Sequence, residues 1–347
     1  MSDNKALASQ IITAFDSVTS KEAKEDNVWV KEQAFDSANQ AKNQLVFFMK
    51  PESTAKTAGV KVANITEFLL DKLSENKIEI AQVRVLGAGY LDKNNIIAQH
   101  YGVINTISRL GKEALSEAQL TGMFARPEFA EYKDAKVVGG HQFLAEVPDI
   151  SAAVLSILSD NVRPTRLGPG TYAMPMKANG NKYIVLSPFH PQQLVPFTSP
   201  GNAIIVFECL SELNWADLRT KVCGATNPLK AVEGSCRQLL LARKEEFGLA
   251  VVDQGNNGVH MSAGPLEGLV EFKRFFSKTD APAIENSQTC FGALLQSKEI
   301  TDEQINVWAE NIKINVDSKE VSTFDATEEI DASAAVTVLL AAAEQAE

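Results

Sequence analysis

The stretch "QLVFFMKPESTAKTAGVKVANITEFLLDKLSENKIEIAQVRVLGAG" (residues 44–89) contains the pattern that decides the fold. Its first part, "QLVFFMK" (44–50), is a nearly continuous apolar run rich in β-forming residues, which predicts a buried strand. The middle part, "GVKVANITEFLLDKLSEN" (59–76), places its apolar residues on one helical face, which predicts a helix. The last part, "KIEIAQVRVLGAG" (77–89), alternates apolar and polar residues, which predicts a half-buried strand. The stretch therefore predicts a strand, a helix and a second strand.

Toward the carboxyl end the pattern continues and then breaks. Residues 92–115 return to helical spacing, but the alternation of helix and strand stops between about 116 and 186. Within this interval "DISAAVLSILSDN" (149–161) predicts one helix. The stretch "GTYAMPMKANGNKYIVLSP" (170–188) predicts two short strands around an "NGN" turn. We interpret this interval as an insertion.

Regular order resumes after the insertion. The segment "NAIIVFECL" (202–210) predicts a strand, and "SELNWADLRTKV" (211–222) predicts a helix. In that helix Ser211 is the expected N-cap, with Asn214 in the place of the usual Glu or Gln of a capping box. The remaining elements predicted here are a helix over 235–248, a short strand over 249–253, and a helix with proline in its first turn over 265–276.

The two ends of the chain have mainly helical patterns. Residues 1–43 carry apolar residues at helical intervals, which predicts two helices, the second from about Val28 to Phe35. From residue 277 the chain is predicted to be helical in parts, with a capping-box signal from Thr301 and Gln304. It closes with an alanine-rich acidic helix. The whole order resembles an α+β, ferredoxin-like α/β sandwich with a four-stranded antiparallel sheet, a large insertion, and helical N- and C-terminal extensions.

Composition and charge exclude several classes of protein. With 347 residues, 45% of them apolar, the chain is long enough for a substantial core. Its longest apolar runs, 44–49 and 334–343, fall short of the ~20 residues that span a bilayer, so no membrane segment is expected. The polar start lacks the order of a signal peptide, which predicts a cytoplasmic protein. A net charge of −11 argues against a general nucleic-acid binder but permits a small anionic ligand.

The cysteines are predicted to be free thiols. They are widely spaced and include no C-x-x-C pair, which disfavours both disulfides and a zinc site. The four positions are Cys209, Cys223, Cys236 and Cys290.

Residues suited to binding phosphate recur at the ends of predicted elements. They are Lys50, Thr226 in "GATNP", Arg237 in "EGSCR", Asn257 and His260. Lysine, arginine, threonine and asparagine supply the point charge, the bidentate fork, the hydroxyl and the amide that a polyphosphate needs. Each residue taken alone is ordinary, because loop charges, turn formers and hydrogen-bonded structural histidines are common.

Taken in order, short motifs resemble the nucleoside diphosphate kinase family. They are "FFMKP" (47–51), "HY" (100–101), "SPFHPQQLVPFTSPGNAIIVFE" (187–208), "GATNP" (224–228), "EGSCR" (233–237) and "NNGVHMS" (256–262). The resemblance covers most of 44–110 and 187–276, which would form the kinase-like domain. It leaves 1–43 as a helical extension, 111–186 as an inserted subdomain and 277–347 as a helical acidic extension.

The resemblance implies a phosphotransferase that works through a phosphohistidine. Members of the family move the γ-phosphoryl group of a nucleoside triphosphate to a histidine, and then to a nucleoside diphosphate. His260 matches that nucleophile, and Ser262 and Glu271 match the residues that steady it. A neutral imidazole suits this role, because one ring nitrogen carries a lone pair near neutral pH. Glu271 lies four residues after Glu267 in the predicted helix, so the two share one polar face.

Other matched positions imply how a nucleotide is held. The residues implied to hold phosphates and ribose or to aid transfer are Lys50, Tyr101, Thr226, Arg237 and Asn257. Phe189 matches the aromatic residue on which the base stacks, although gapless counting back from "LV" places His190 there instead. The resemblance also implies ATP as phosphoryl donor, Mg²⁺ held through nucleotide phosphates with no protein metal site, and a homo-oligomer.

The chain also departs from the family pattern. Met261 stands where glycine usually follows the histidine, and its bulk is expected to crowd the phosphate. Thr220 replaces a usual arginine, with Arg219 and Lys221 on either side. These departures support a second hypothesis, a nucleotide-binding or partner-binding module that keeps the fold and has lost transfer.

Overall fold

The computed structural model describes residues 2–23, 25–168 and 170–344, which fall into two compact units. The first unit contains the chain up to Tyr90 and from Pro200 onward, and the second contains Leu91–Ser199. The second unit encloses the predicted insertion, 111–186, together with the segments on both sides of it. The assignment of 44–110 and 187–276 to one kinase-like domain stays a prediction.

Strands and helices are interspersed along the described chain. The strands are β1 (Asn27–Lys31), β2 (Asn43–Met49), β3 (Glu79–Gly87), β4 (Lys136–Gly139), β5 (Thr165–Gly168), β6 (Thr171–Ala178), β7 (Asn181–Leu186), β8 (Ala203–Ser211), β9 (Val259–Met261), β10 (Lys313–Val316) and β11 (Lys319–Ser322). The helices are α1 (Ser2–Thr19), α2 (Pro51–Thr54), α3 (Val62–Glu75), α4 (Ala88–Lys93), α5 (Ile96–His100), α6 (Gly102–Leu110), α7 (Glu117–Phe124), α8 (Gly140–Glu146), α9 (Ala152–Val162), α10 (His190–Thr198), α11 (Trp215–Asp217), α12 (Cys236–Ala242), α13 (Lys244–Phe247), α14 (Pro265–Phe276), α15 (Cys290–Gln296), α16 (Asp302–Ala309), α17 (Thr323–Thr327) and α18 (Ala332–Glu344).

The main sheet of the first unit is antiparallel and has the order β1-β3-β8-β2-β9. In chain order β2, β3, β8 and β9 are the first to the fourth strand of this group. Side by side in the sheet they have the order second, third, first, fourth. With α3 between β2 and β3, and α14 packed on β2, this is a ferredoxin-like α+β fold. The predicted fold class is confirmed, and β1 adds a fifth strand at the β3 edge.

The second predicted N-terminal helix is wrong, because its residues form β1. The segment "NVWVK" alternates in steps of two, and Asn27 and Val28 pair with Leu86 and Val85 of β3. Pairing with an open sheet edge outweighs a helical pattern in a segment this short. Arg84 reinforces the contact, since its guanidinium lies over the Trp29 ring and donates to the side-chain oxygen of Asn27.

One predicted boundary and one predicted strand are also wrong. Ser211 is the last residue of β8, paired with Asn43, and the next helix begins after Asn214, whose side chain accepts from Asp217 N at 2.7 Å. The segment 249–253 forms no strand, since the sheet edge beside β2 is occupied by β9. In addition β3 is buried on both faces, because helices cover both sides of the sheet.

The two faces of the sheet have different roles. On one face Leu45, Phe47, Met49 and Met261 join a large apolar core with residues of α1, α3 and α12. Val46 and Phe48 alternate with them and so point to the opposite face, where the Phe48 ring lies 5.4 Å from that of Phe275 in α14. In β9 the side chain of His260, between the core residues Val259 and Met261, therefore faces α14.

The remaining parts have cores of their own. In the second unit the sheet order is β4-β7-β6-β5, and the predicted hairpin (β6 and β7) and the helix α9 are confirmed. The C-terminal extension packs α15 to α18 around a hairpin, β10 and β11, that the sequence pattern did not predict. Its capping box at Thr301 and Gln304 is confirmed.

All four cysteines are buried free thiols. Within 2–23, 25–168 and 170–344, no helix combines the length and apolar character needed to traverse a bilayer.

Candidate active site

A tight turn presents His260 on the short edge strand β9. Gly258 has φ +82°, and a Cβ there would lie 2.6 Å from Leu240 Cδ1 and 2.8 Å from Ser53 Oγ. Its amide donates to the Glu52 carboxylate at 2.9 Å. The turn therefore requires glycine two residues before the histidine.

On the α14 face of the sheet, His260 meets a buried carboxylate. Its Nε2 lies 2.8 Å and 3.0 Å from the two carboxylate oxygens of Glu271, and the Ser262 hydroxyl also donates to this carboxylate. The same hydroxyl accepts from Val46 N at 2.9 Å, which fixes it to β2. The Phe48 ring stacks on the imidazole at 4.6 Å. His260 keeps 15% of its side-chain surface exposed against 1% for Glu271, so a substrate can reach the ring but not the carboxylate.

Two arginines cap the free edge of β9 on either side of His260. Arg237 donates to Val259 O at 3.0 Å and to Gly224 O at 2.8 Å, and Arg219 donates to Met261 O at 2.9 Å. These two carbonyls are two residues apart on one strand and so point to the same edge. The sequence analysis singled out Arg237 and noted Arg219 only as a neighbour of a missing arginine. No local pattern could have linked Arg219 to β9.

The C-terminal extension reaches this edge through Arg219. The guanidinium lies 3.5 Å from the carboxylates of Glu328 and of Glu329, and Glu329 N donates to Ala263 O at 2.9 Å. A Cβ on Gly264 would lie 2.2 Å from Thr327 O. The segment after α17 is therefore packed directly on the turn that follows Ser262.

Thr220 and Lys221 do not replace the missing arginine. The Thr220 hydroxyl is exposed and donates to Ala216 O, and Lys221 pairs with Asp217 at 2.7 Å one helical turn away. Of the two cations that flank Thr220, Arg219 bonds to β9 and Lys221 bonds to Asp217.

The phosphate-binding candidates of the first unit lie near the start of β9. Lys50 N donates to Gly258 O at 3.0 Å, and the pKa of the Lys50 ammonium is lowered, mainly by burial and further by Arg237. Asn257 is buried and donates to Thr226 O at 3.1 Å. Thr226 itself is exposed. The structure therefore brings a lysine, an arginine and an amide to one end of the strand that carries His260.

The expectation that Met261 crowds the phosphate is wrong. Met261 is fully buried, and its side chain belongs to the core on the α1 and α3 side of the sheet. Because successive strand residues point to opposite faces, the side chain of Met261 faces away from the His260 ring.

Tyr101 and Phe189 belong to the second unit. Tyr101 contacts the rings of His190 and Phe197 edge-on. Phe189 is half-buried against Tyr172. His190 is fully buried, and its ring nitrogens lie within hydrogen-bond distance of Gln193 and Asn105. Of the two candidates for base stacking, only Phe189 has an accessible ring.

Comparisons with known proteins point to one family. An 89-residue segment, 26% of this chain, is 35% identical to a nucleoside diphosphate kinase of Chlamydia trachomatis serovar D. The match spans about half of that relative, 55% of its length. A solved nucleoside diphosphate kinase of Encephalitozoon cuniculi superposes with a TM-score of 0.33 and 12% identity, over 70% of this chain and 94% of its own. No family model matches. The chain is thus distantly similar to a nucleoside diphosphate kinase.

Proposed function

We propose that the protein is a nucleoside diphosphate kinase-like phosphotransferase that works through a phosphohistidine at His260. The observation that supports this proposal best is the contact of His260 Nε2 with both oxygens of the buried Glu271 carboxylate. A histidine held in this way has a fixed ring orientation, and 15% of its side-chain surface is exposed.

In this proposal Nδ1 is the ring nitrogen that reacts. Because Nε2–H donates to Glu271, the neutral ring carries its lone pair on Nδ1. Nδ1 attacks the γ-phosphorus of a nucleoside triphosphate, an N–P bond forms, and the bond to the bridging oxygen breaks as the nucleoside diphosphate leaves. In the second half-reaction a terminal oxygen of another diphosphate attacks the same phosphorus, and Nδ1 takes back its electron pair. Glu271 stabilises the positive charge that the ring carries between the two steps.

The nucleotide would be held by groups that gather at the start of β9. Lys50 and Arg237 supply positive charge for the phosphates. Two buried polar atoms here, Arg237 Nε and Asn257 Oδ1, have no hydrogen-bond partner in the described part of the chain, which suits a ligand with both acceptor and donor groups. Thr226 would add a hydroxyl. The nucleotide-binding roles of Tyr101 and Phe189 stay predictions from the family resemblance. We assign Mg²⁺ to the substrate, because it binds mainly through phosphate oxygens.

Labelling tests the proposal directly. Incubation with γ-labelled ATP and Mg²⁺ should give acid-labile, base-stable label on the protein, and addition of GDP should move that label to GTP. Tight nucleotide binding in calorimetry without any label would contradict the proposal. That result would favour the alternative, a nucleotide-binding or partner-binding module that has lost transfer.

The proposal also covers substrates and assembly. We infer that the small-molecule partners are nucleoside triphosphates and diphosphates, with ATP as donor. From the same resemblance we expect a homo-oligomer, which light scattering of the purified protein would detect.

Replacement of Met261 tests whether this side chain stabilises the core or obstructs the phosphate. Met261→Gly is expected to lower the free energy of unfolding by about 4 kcal/mol, because it opens a core cavity and loosens the strand. It should not raise the rate of phosphoryl transfer per folded molecule. Denaturant unfolding and the labelling assay measure the two quantities, and Met261→Leu, which conserves volume, serves as control. Faster transfer in the glycine variant would show that Met261 obstructs the phosphate.

A further inference from the structure

An apolar stripe runs along the outer side of α9 in the second unit. Its members are Val154, Ile157, Leu158 and Val162, whose exposed fractions lie between 36% and 59%. Residues three and four apart are neighbours on a helix, so these four side chains lie on one face. Apolar residues exposed singly are common on protein surfaces, but a contiguous apolar face marks a contact with another molecule.

The opposite face of α9 holds the helix in its own unit. Leu155 is fully buried and joins an apolar core with Phe143 and Tyr183. Ser159, one helical turn later, is also buried. Because this inner face supplies the packing, substitutions on the apolar stripe leave the core of the unit intact.

The outer face of α9 is poor in the charges that a solvated helix carries. Asp160 is the one charged residue among the 11 residues of the helix. Asn161, the polar residue one turn after Ile157, donates its side-chain amide to Ile157 O at 2.9 Å. Its donor is therefore bonded to the backbone of its own helix. Helices that face water on one side are usually polar on that side, so this face is suited to being covered.

The charges beyond the two ends of α9 have opposite signs. Asp149 precedes the helix, Arg163 and Arg166 follow it, and all three are exposed. An antiparallel alignment with a second copy of α9 would bring the acidic end of each helix to the basic end of the other. The same alignment places opposite ends of the two helix dipoles together. A two-fold interface requires such a self-complementary surface, whereas a uniformly acidic or basic partner would match only one end.

We propose that α9 is a self-association surface, on which the apolar stripe of one chain packs antiparallel against that of a second copy. The helix lies within 111–186, the part of the chain that the family resemblance leaves as an insertion, so the resemblance does not imply this surface. The inference does not depend on phosphoryl transfer by His260. Ile157 is the middle residue of α9, and a two-fold axis there brings the two copies of Ile157 close together.

Cysteine cross-linking of the full-length protein tests this contact directly. The four native cysteines are buried, so Ile157→Cys adds an accessible thiol at the middle of the stripe. Oxidation with copper phenanthroline should link two chains, which gives twice the chain mass of 37.7 kDa on a non-reducing gel. Val307→Cys is the control, because Val307 is 45% exposed on α16 of the first unit. It should be linked about tenfold more slowly, since collision replaces a standing contact. Equal rates, or no link through Ile157→Cys, would overturn the inference.

Further substitutions in the Ile157→Cys protein test the apolar and the charged contacts separately. Val154→Glu should slow the cross-link by about tenfold or more, because a carboxylate would be buried in both copies. Asp149→Arg should slow it by about tenfold, because like charges then meet at both ends of the helix pair. Adding Arg163→Asp and Arg166→Asp to that variant should restore the rate. A reversed set that stays as slow as Asp149→Arg alone would overturn the antiparallel arrangement.

A lipid surface is the other occupant that the experiment distinguishes. The protein should not co-sediment with vesicles of phosphatidylcholine and phosphatidylserine. Vesicle binding that Val154→Glu abolishes, without any cross-link through Ile157→Cys, would overturn the inference and assign the face to a membrane. Labelling by γ-labelled ATP is measured separately on the unmodified chain. A chain that cross-links through α9 but takes no label would overturn the proposed function and support the self-association surface.

Discussion

His260→Asn is expected to abolish phosphorylation of the protein by γ-labelled ATP, with a fall in rate of about 10³-fold or more. The asparagine amide is too short to replace Nε2 at Glu271, but the Ser262 hydroxyl still donates to this carboxylate, so the fold is expected to be preserved. Asparagine has no ring nitrogen with a lone pair, and removal of a catalytic nucleophile costs rate factors of this order. Rapid-quench labelling measures the rate, and calorimetry should show that nucleotide binding survives.

A second histidine provides the matched control. His141 lies in the second unit, where its Nδ1 is 3.0 Å from the Ser108 hydroxyl and burial lowers its pKa to about 4. It is therefore neutral at pH 7, so basicity alone does not distinguish it from a nucleophile. His141→Asn should still be labelled. Undiminished label in His260→Asn would show that the nucleophile has been assigned to the wrong residue.

Gly258→Ala is expected to lower the free energy of unfolding by about 3 kcal/mol and to reduce phosphoryl transfer together with stability. The positive φ strains any residue that has a side chain, and the added methyl group meets Leu240 and Ser53 at 2.6 Å and 2.8 Å. Relief of these contacts must move the turn that places His260. Denaturant unfolding and single-turnover labelling measure the two effects.

The control for this change is another glycine of the same conformation. Gly234 has φ +83°, and a Cβ there meets nothing within 4 Å. Gly234→Ala should therefore cost only the backbone strain, about 1 kcal/mol. Equal losses at the two positions would mean that contact with Leu240 and Ser53 is unimportant for the turn.

Most of the ferredoxin-like fold could be predicted from local patterns. The apolar run that became β2, the amphipathic stretch that became α3 and the proline-started α14 have signals that depend only on neighbours in sequence. The errors occur where an element is short or its end is set by a distant partner. The strand β1 lies in a stretch predicted to be helical and instead pairs with the edge of β3. The strand β8 extends to Ser211 because Asn43 pairs with it.

The sequence could predict which residues belong to the candidate site, but not how they are arranged. The order of the motifs selected His260, Ser262, Glu271, Lys50 and Arg237, and the structure places these five in the first unit, with His260 bonded to Glu271. It could not predict Arg219, whose bond to Met261 O joins residues 42 positions apart. The sequence analysis also expected Met261 to crowd the phosphate, whereas its side chain packs in the core on the opposite face from His260. Alternation defines two faces of a strand, but which face meets the core depends on what packs there.

By itself the sequence determined β2, β3, β8, the β6–β7 hairpin, the main helices and the residue types available for phosphate chemistry. These follow from periodicity and side-chain chemistry over a few neighbouring positions. Only the tertiary structure decided that β9 lies at an edge beside β2, that Ser262 and His260 both contact the buried Glu271 carboxylate, and that a C-terminal segment reaches Arg219. The physical reason is separation along the chain: β2 and β9 pair across more than 200 residues, as the bond from Val46 to Ser262 shows with a separation of 216. No local pattern encodes such contacts, which form only when distant segments pack.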